Sequence, residues 1–114
     1  MAIRGSAAAL DATFRALADP TRRGMLGLLA KKGECTASEL GAPFEIAQPT
    51  ASKHITVLEG AGLLERRVEG REHRFKLISR PLGEAQAWIS RHQAFWEGSL
   101  SRLDALLSPK GRTR

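Results

Sequence analysis

Proline and glycine cut this chain into short helical lengths, and that punctuation constrains its fold more than any other feature. A proline is tolerated in a helix only in its first turn, where its missing N–H has no partner to lose. Pro20, Pro49 and Pro81 each stand at such a start. Gly33 and the pair Gly60, Gly62 supply stops. The pattern predicts short helices, then a charged hairpin, then one long helix.

The first helix carries Leu10, Phe14 and Leu17 as one apolar stripe. The second opens at Asp19, a natural N-cap, and turns Met25, Leu26, Leu28 and Leu29 inward. Lys31 and Lys32 suit its negative end, and Gly33 closes it. Gly24 and Gly27 weaken it by up to ~1 kcal/mol each relative to alanine, and can permit close packing of a neighbour. In "CTASEL", Thr36 and Glu39 have the spacing of a capping box, with Cys35 placed to staple against Leu40. A short third helix follows, stopped at "GAPF".

The fourth helix, about residues 48–60, turns Ala51, Ile55 and Leu58 inward. Its other side is polar: Gln48, Ser52, Lys53 and Thr56 face outward or to the flanks. Two strands about a turn at Glu69 to Glu72 follow, a wing over about residues 63–78. Two short helices with a tight connection, the second opening on polar residues, describe a helix-turn-helix, and the hairpin makes it winged. In that arrangement the second helix enters the DNA major groove. Gln48, Thr50, Ser52 and His54 are the candidate base readers, with Pro49 and Thr56 on the same segment. Lys53, Arg67, Arg71 and Arg74 suit phosphate.

Charge agrees with this: 18 Lys+Arg against 12 Asp+Glu give a net +6, which favours an anionic partner. The arginines of the hairpin alternate with Glu65, Glu69 and Glu72, which tempers the basic patch. The 114 residues suit one domain, spanning 1–114. One cysteine excludes an internal disulfide and points to a reducing, cytoplasmic setting. No apolar run is long enough to cross a membrane. No nucleophile–base neighbourhood, phosphate-cradling glycine loop or paired acid cluster argues for an enzyme.

The stretches "FRALADPTRRGMLGLLAKKGECTASEL", "QPTASKHITVLEGAGLL" and "EGREHRFKL" together resemble the ArsR-type family of winged-helix transcriptional repressors. The resemblance runs from about Phe14 to Leu77, and the long last helix extends it to nearly the whole chain. It implies a mainly α fold of about five helices with a small β-hairpin wing. It also implies a homodimer on a palindromic operator of double-stranded DNA, often repressing its own gene. Two positions depart from the family pattern. Ala47 stands where a capping serine is common, and Glu45 where a glycine is common.

Many members of that family sense metals, and their ligand positions can be compared one by one. The arsenic-type site reads E-L-C-V-C-D-L, and the matching stretch here is "ECTASEL", with Thr36 and Ser38 at the thiol positions. The zinc-type site needs Asp-x-His and a further histidine pair on the last helix, which carries His92 alone. No cofactor or metal is therefore expected. Cys35 as a redox switch, and a winged helix used for protein contacts or RNA, are the alternative readings.

The last helix, about residues 81–107, carries Ala85, Ile89, His92, Trp96, Leu100 and Leu103 at three- and four-residue spacings. That stripe is long for one small core and predicts a dimer interface, completed by Leu10 and Phe14. Trp88, Phe95 and Trp96 are a candidate lining for a small apolar effector. The sequence thus predicts a dimeric, sequence-specific DNA-binding repressor that does not respond to metal.

Overall fold

The computed structural model describes residues 2–107, with side chains from residue 7 onward except Leu100, Asp104 and Leu107. Helix α1 (Ala2–Leu17) and α2 (Pro20–Lys32) lead into strand β1 (Glu34–Thr36). Helix α3 (Ala37–Gly41), a 3-10 turn (Ala42–Phe44) and α4 (Gln48–Gly60) follow. Strands β2 (Leu64–Glu69) and β3 (Glu72–Leu77) form the wing, and α5 (Arg80–Leu107) completes the chain.

The expected caps are present. The Arg22 N–H donates to Asp19 Oδ2 at 3.1 Å, starting α2. Gly33, at φ +93°, donates to the Leu29 carbonyl at 2.8 Å and ends it. The capping box is reciprocal: Glu39 N–H to Thr36 Oγ1 at 3.2 Å, and Thr36 N–H to Glu39 Oε1 at 2.8 Å. Ala47 is extended and offers α4 no side-chain cap. Glu45 has φ +54°, the left-handed conformation that a glycine adopts without cost.

One strand goes beyond the sequence reading. β1 pairs with β3, so the sheet has three antiparallel strands in the order β1-β3-β2. Three residues are too few to show alternation, which is why β1 reads only as the approach to a capping box. The pairing sets Cys35 opposite Phe75 and Arg66 opposite Phe75 on its other side. Both Cys35 and Phe75 are buried, beside Met25, Leu29, Leu40, Leu58 and Leu63. Burying a ring such as that of Phe75 contributes about 1.5–3 kcal/mol. The wing is thereby rooted in the core.

The first helix also differs in detail. Among its described side chains Thr13 and Ala16 are buried, while Leu10, Phe14 and Leu17 are half-buried at its flanks. Thr13 satisfies its hydroxyl on the Ala9 carbonyl at 3.1 Å, so a polar residue can sit there. Gly41 is buried, and a Cβ on it would lie 3.1 Å from that of Ala51. Its role is the close crossing of α3 over α4, beyond punctuation alone.

Candidate nucleic-acid interface

Helix α4 rests on α3 and the sheet through Ala51, Ile55 and Leu58, all buried. The same 3.6-residue period turns Gln48, Pro49, Thr50, Ser52, Lys53 and Thr56 to solvent, and all six are exposed. They occupy one end and one side of the helix, with no other described element over them.

The pleat of the sheet decides which wing residues share that side. Phe75 faces inward, so Arg66, Val68 and His73 lie on its face. Arg67, opposite Arg74, lies on the other face with Glu34, Glu69 and Glu72. Arg67 Nη2 is 2.8 Å from Glu34 Oε1, and Arg67 Nη1 is 3.4 Å from Glu69 Oε2. Arg74 Nη2 is 3.2 Å from Glu72 Oε1. Its buried Nε is 3.3 Å from Glu69 Oε1 without the alignment of a hydrogen bond. The Arg67 guanidinium holds the Glu34 carboxyl below its usual range. Two of the three wing arginines chosen from sequence are therefore already neutralised by carboxylates.

Arg71 lies at the wing tip and is exposed, with no carboxylate partner among the described residues. It lines an open groove of about 430 Å³ between α3, α4 and the wing, shared with Ser52, Thr56, Ser38 and His73. Arg66 also lines it, a residue the sequence reading left out. Its guanidinium grips Glu59 at 2.6 and 2.9 Å, touches His73 Nδ1 at 2.8 Å and lies 5.0 Å from the Phe75 ring centre. The clamp joins the end of α4 to the wing, and it depresses the Glu59 carboxyl. Period-two alternation counted from Phe75 was the signal that could have found Arg66 and His73.

His54 lies on the half-buried side of α4. Its Nδ1 is 3.3 Å from Arg22 Nη1, and its Nε2 is 3.9 Å from Asp19 Oδ2. The ring is thus engaged within the fold, against the α1–α2 junction, unlike the exposed residues around it. Asp19 is held below the usual carboxylate range, chiefly by the Arg22 N–H, with the Arg22 charge adding to it.

On α5, Ile89, Phe95, Trp96 and Leu103 are exposed, whereas Ala85 is buried within its own chain. Ala85 therefore belongs to the core of one chain and not to an exposed stripe. Leu10 and Phe14 are half-buried beside α5, with Phe14 edge-on to Trp88 at 5.8 Å. His92 stacks on Trp88 at 4.1 Å, with Nδ1 2.8 Å from the Trp88 carbonyl. Leu100 lies on α5, but its side chain is outside the described ones. The aromatic cluster divides: Trp88 pairs with Phe14 and His92, while Phe95 and Trp96 pair with each other at 5.7 Å. Trp88 lines a small open pocket with Leu10, Glu84, Ala87 and Arg91.

A hairpin wing within a three-stranded sheet beside a helix-turn-helix, with the polar face of the second helix open, defines a winged helix-turn-helix protein. Comparison with known proteins agrees. A family described as a helix-turn-helix domain matches residues 17–67. The chain is 31% identical over 80 residues to the transcriptional repressor SdpR of Bacillus subtilis, covering 70% of this chain and 88% of that one. It is 39% identical over 96 residues to the arsenic resistance transcriptional regulator of Pseudomonas putida, covering 84% of this chain and 70% of that one. Among solved structures, an ArsR family transcriptional regulator superposes with a TM-score of 0.72 at 39% identity, over 78% of this chain and 91% of that one. An ArsR-like regulator from Rhodococcus gives 0.72 at 28% identity, over 90% and 95%. The chain belongs to the ArsR family of winged helix-turn-helix transcriptional regulators. It is by class a DNA-binding regulator, and no described helix is long and apolar enough to cross a membrane.

Proposed function

We propose that the protein is a homodimeric repressor that reads a two-fold symmetric operator through α4. The observation that carries this is the exposed polar face of α4 beside the wing: Gln48, Pro49, Thr50, Ser52, Lys53 and Thr56 with Arg71. Gln48, Thr50 and Ser52 have the donors and acceptors to read base edges, and Lys53 and Arg71 suit phosphate. Arg67 and Arg74 contribute to the wing's potential only in part, since glutamates hold them. His54 supports the face from behind.

The dimer is supported by shape. The radius of gyration is 19.1 Å, against about 13 Å for a compact chain of this length. Helix α5 runs for 28 residues, and its far half carries Phe95, Trp96 and Leu103 exposed. A second copy on α1 and α5 would cover them, using Leu10, Phe14, Ile89, His92, Trp96, Leu100 and Leu103. Such a dimer sets two recognition helices about one duplex turn apart, ~34 Å.

The repressor we propose works without a metal. Thr36, at a thiol position of the arsenic-type site, is committed to capping α3. Cys35 is fully buried and burial pushes its thiol up, which opposes both thiolate ligation and a redox switch. The arsenic link in the name of the Pseudomonas putida relative therefore need not extend to this chain.

The test is selection from random duplexes, followed by binding of Lys53→Ala and Gln48→Ala across a salt series. Lys53→Ala should weaken all sequences alike and reduce the salt slope by about 1. Gln48→Ala should change preference at particular base pairs. An unchanged preference refutes its base-reading role.

A further inference from the structure

The Arg22 guanidinium gathers acceptors from two helices. Its Nε donates to the Ala16 carbonyl at 2.8 Å and its Nη2 to the Arg15 carbonyl at 2.9 Å, which also accepts the Ala18 N–H at 3.2 Å, at the C-terminal end of α1. Its Nη1 is 3.3 Å from His54 Nδ1, on α4. Arginine has donors only, so Nδ1 must accept, and the proton of neutral His54 then sits on Nε2. That nitrogen faces Asp19 Oδ2 at 3.9 Å, and the same oxygen caps α2 through the Arg22 N–H. One side chain therefore ties together the end of α1, the start of α2 and the middle of the recognition helix.

We infer that Arg22 is a positioning residue for DNA reading, holding the recognition helix to the end of α1 through Nδ1 of His54. The inference rests on the DNA-reading face proposed above. His54 lies two positions after Ser52 and six after Gln48, on the half-buried side of α4. Fixing it there fixes how the exposed side is rolled about the helix axis. Helix α1 packs against α5, so the same linkage refers the roll of α4 to the surface where the second protomer would dock. A contact of this kind acts on every base pair that α4 reads. A direct His54–base contact would act on one.

The chemistry offers a matched pair of variants. Asparagine places Oδ1 at the same bond distance from Cβ as imidazole Nδ1, so His54→Asn keeps an acceptor for Arg22. His54→Leu fills similar space with none. Base preference is measured position by position on duplexes selected by the wild-type protein, with thermal unfolding measured beside it. His54→Leu should lower discrimination at several base pairs together, by roughly tenfold at the best of them, the scale of one lost base contact. His54→Asn should recover most of that loss. Arg22→Lys keeps the charge without the fork and should resemble His54→Leu, adding little in the double variant. Loss confined to one base pair, or equal loss in His54→Asn and His54→Leu, overturns the inference.

Imidazole ¹⁵N shifts of the DNA-free protein give an independent reading. The linkage requires an Nε2–H tautomer for neutral His54, with an Nδ1 shift that moves when Arg22→Met removes its donor. An Nδ1–H tautomer overturns it without reference to DNA. A wild-type protein that selects no sequence overturns DNA reading itself, and the tautomer tells that failure apart from failure of the linkage.

Discussion

Two glycines of α2, three residues apart, should respond to alanine in opposite directions. Helix propensity alone favours alanine at both Gly24 and Gly27 by about 1 kcal/mol. At Gly27, which is exposed, an added Cβ meets nothing within 4 Å, so Gly27→Ala should gain nearly all of that. At Gly24 the Cβ would stand 2.6 Å from Phe44 Cε1 and 2.8 Å from Cζ, against an ordinary carbon contact of about 3.5–4.0 Å. The ring must retreat by about 1 Å, and overpacking of this kind costs about 1–3 kcal/mol. After the propensity gain, Gly24→Ala should lie between neutral and about 2 kcal/mol destabilising.

Thermal unfolding followed by circular dichroism, at one fixed protomer concentration, separates the two. With roughly 4 °C per kcal/mol for a chain of this size, the variants should differ by about 4–12 °C. Phe44 belongs to the turn that leads to Glu45 and α4. Phe44→Leu in the Gly24→Ala background should therefore recover stability, a coupling that a double-mutant cycle measures. Equal stabilisation by both alanines would refute the reasoning, because the ring contact would then carry no weight.

Other perturbations follow from the same geometry. Ala47→Ser supplies the missing cap of α4 and should add about 1 kcal/mol of stability, read from denaturant midpoints. Arg66→Met breaks the clamp on Glu59 and should speed hydrogen exchange of the wing amides, with a stability loss of no more than about 1 kcal/mol for so exposed a pair. Acid should unfold the protein through Asp19, Glu34, Glu39 and Glu59, whose carboxyls are depressed by the Arg22 N–H, Arg67, the Thr36 N–H and Arg66 respectively. Their stabilisation is present above the ordinary glutamate value of 4.5 and is lost as pH falls through the lower folded values. Glu39→Gln keeps a capping side chain but cannot titrate, so it should flatten the acid limb of a stability–pH curve.

Much of this arrangement was legible because its causes are local. Asp19-Pro20, the Thr36–Glu39 pair and Gly33 act within a few residues, and each did in the fold what its chemistry dictates. Helix α4 was legible for the same reason, since Ala51, Ile55 and Leu58 fix its inward side. What escaped depends on partners distant in sequence. β1 exists because β3 offers it an edge some forty residues away. Arg67 and Arg74 looked like phosphate ligands until the register placed them among glutamates, while Arg66 and His73 turned toward the groove. His54, polar and on the right helix, lies against Arg22, a contact across 32 residues that no periodicity displays. Ala85 looked like part of a dimer stripe, yet it is buried in its own chain.

The central claim, a dimer reading a symmetric operator through α4, is tested most directly by footprinting the wild-type protein on a duplex selected from a random pool, with stoichiometry measured on the same complex. The account predicts two protomers bound to two inverted half-sites, centred about one helical turn apart, ~34 Å. Binding by a single protomer, half-sites in direct repeat, or no selected sequence would contradict it.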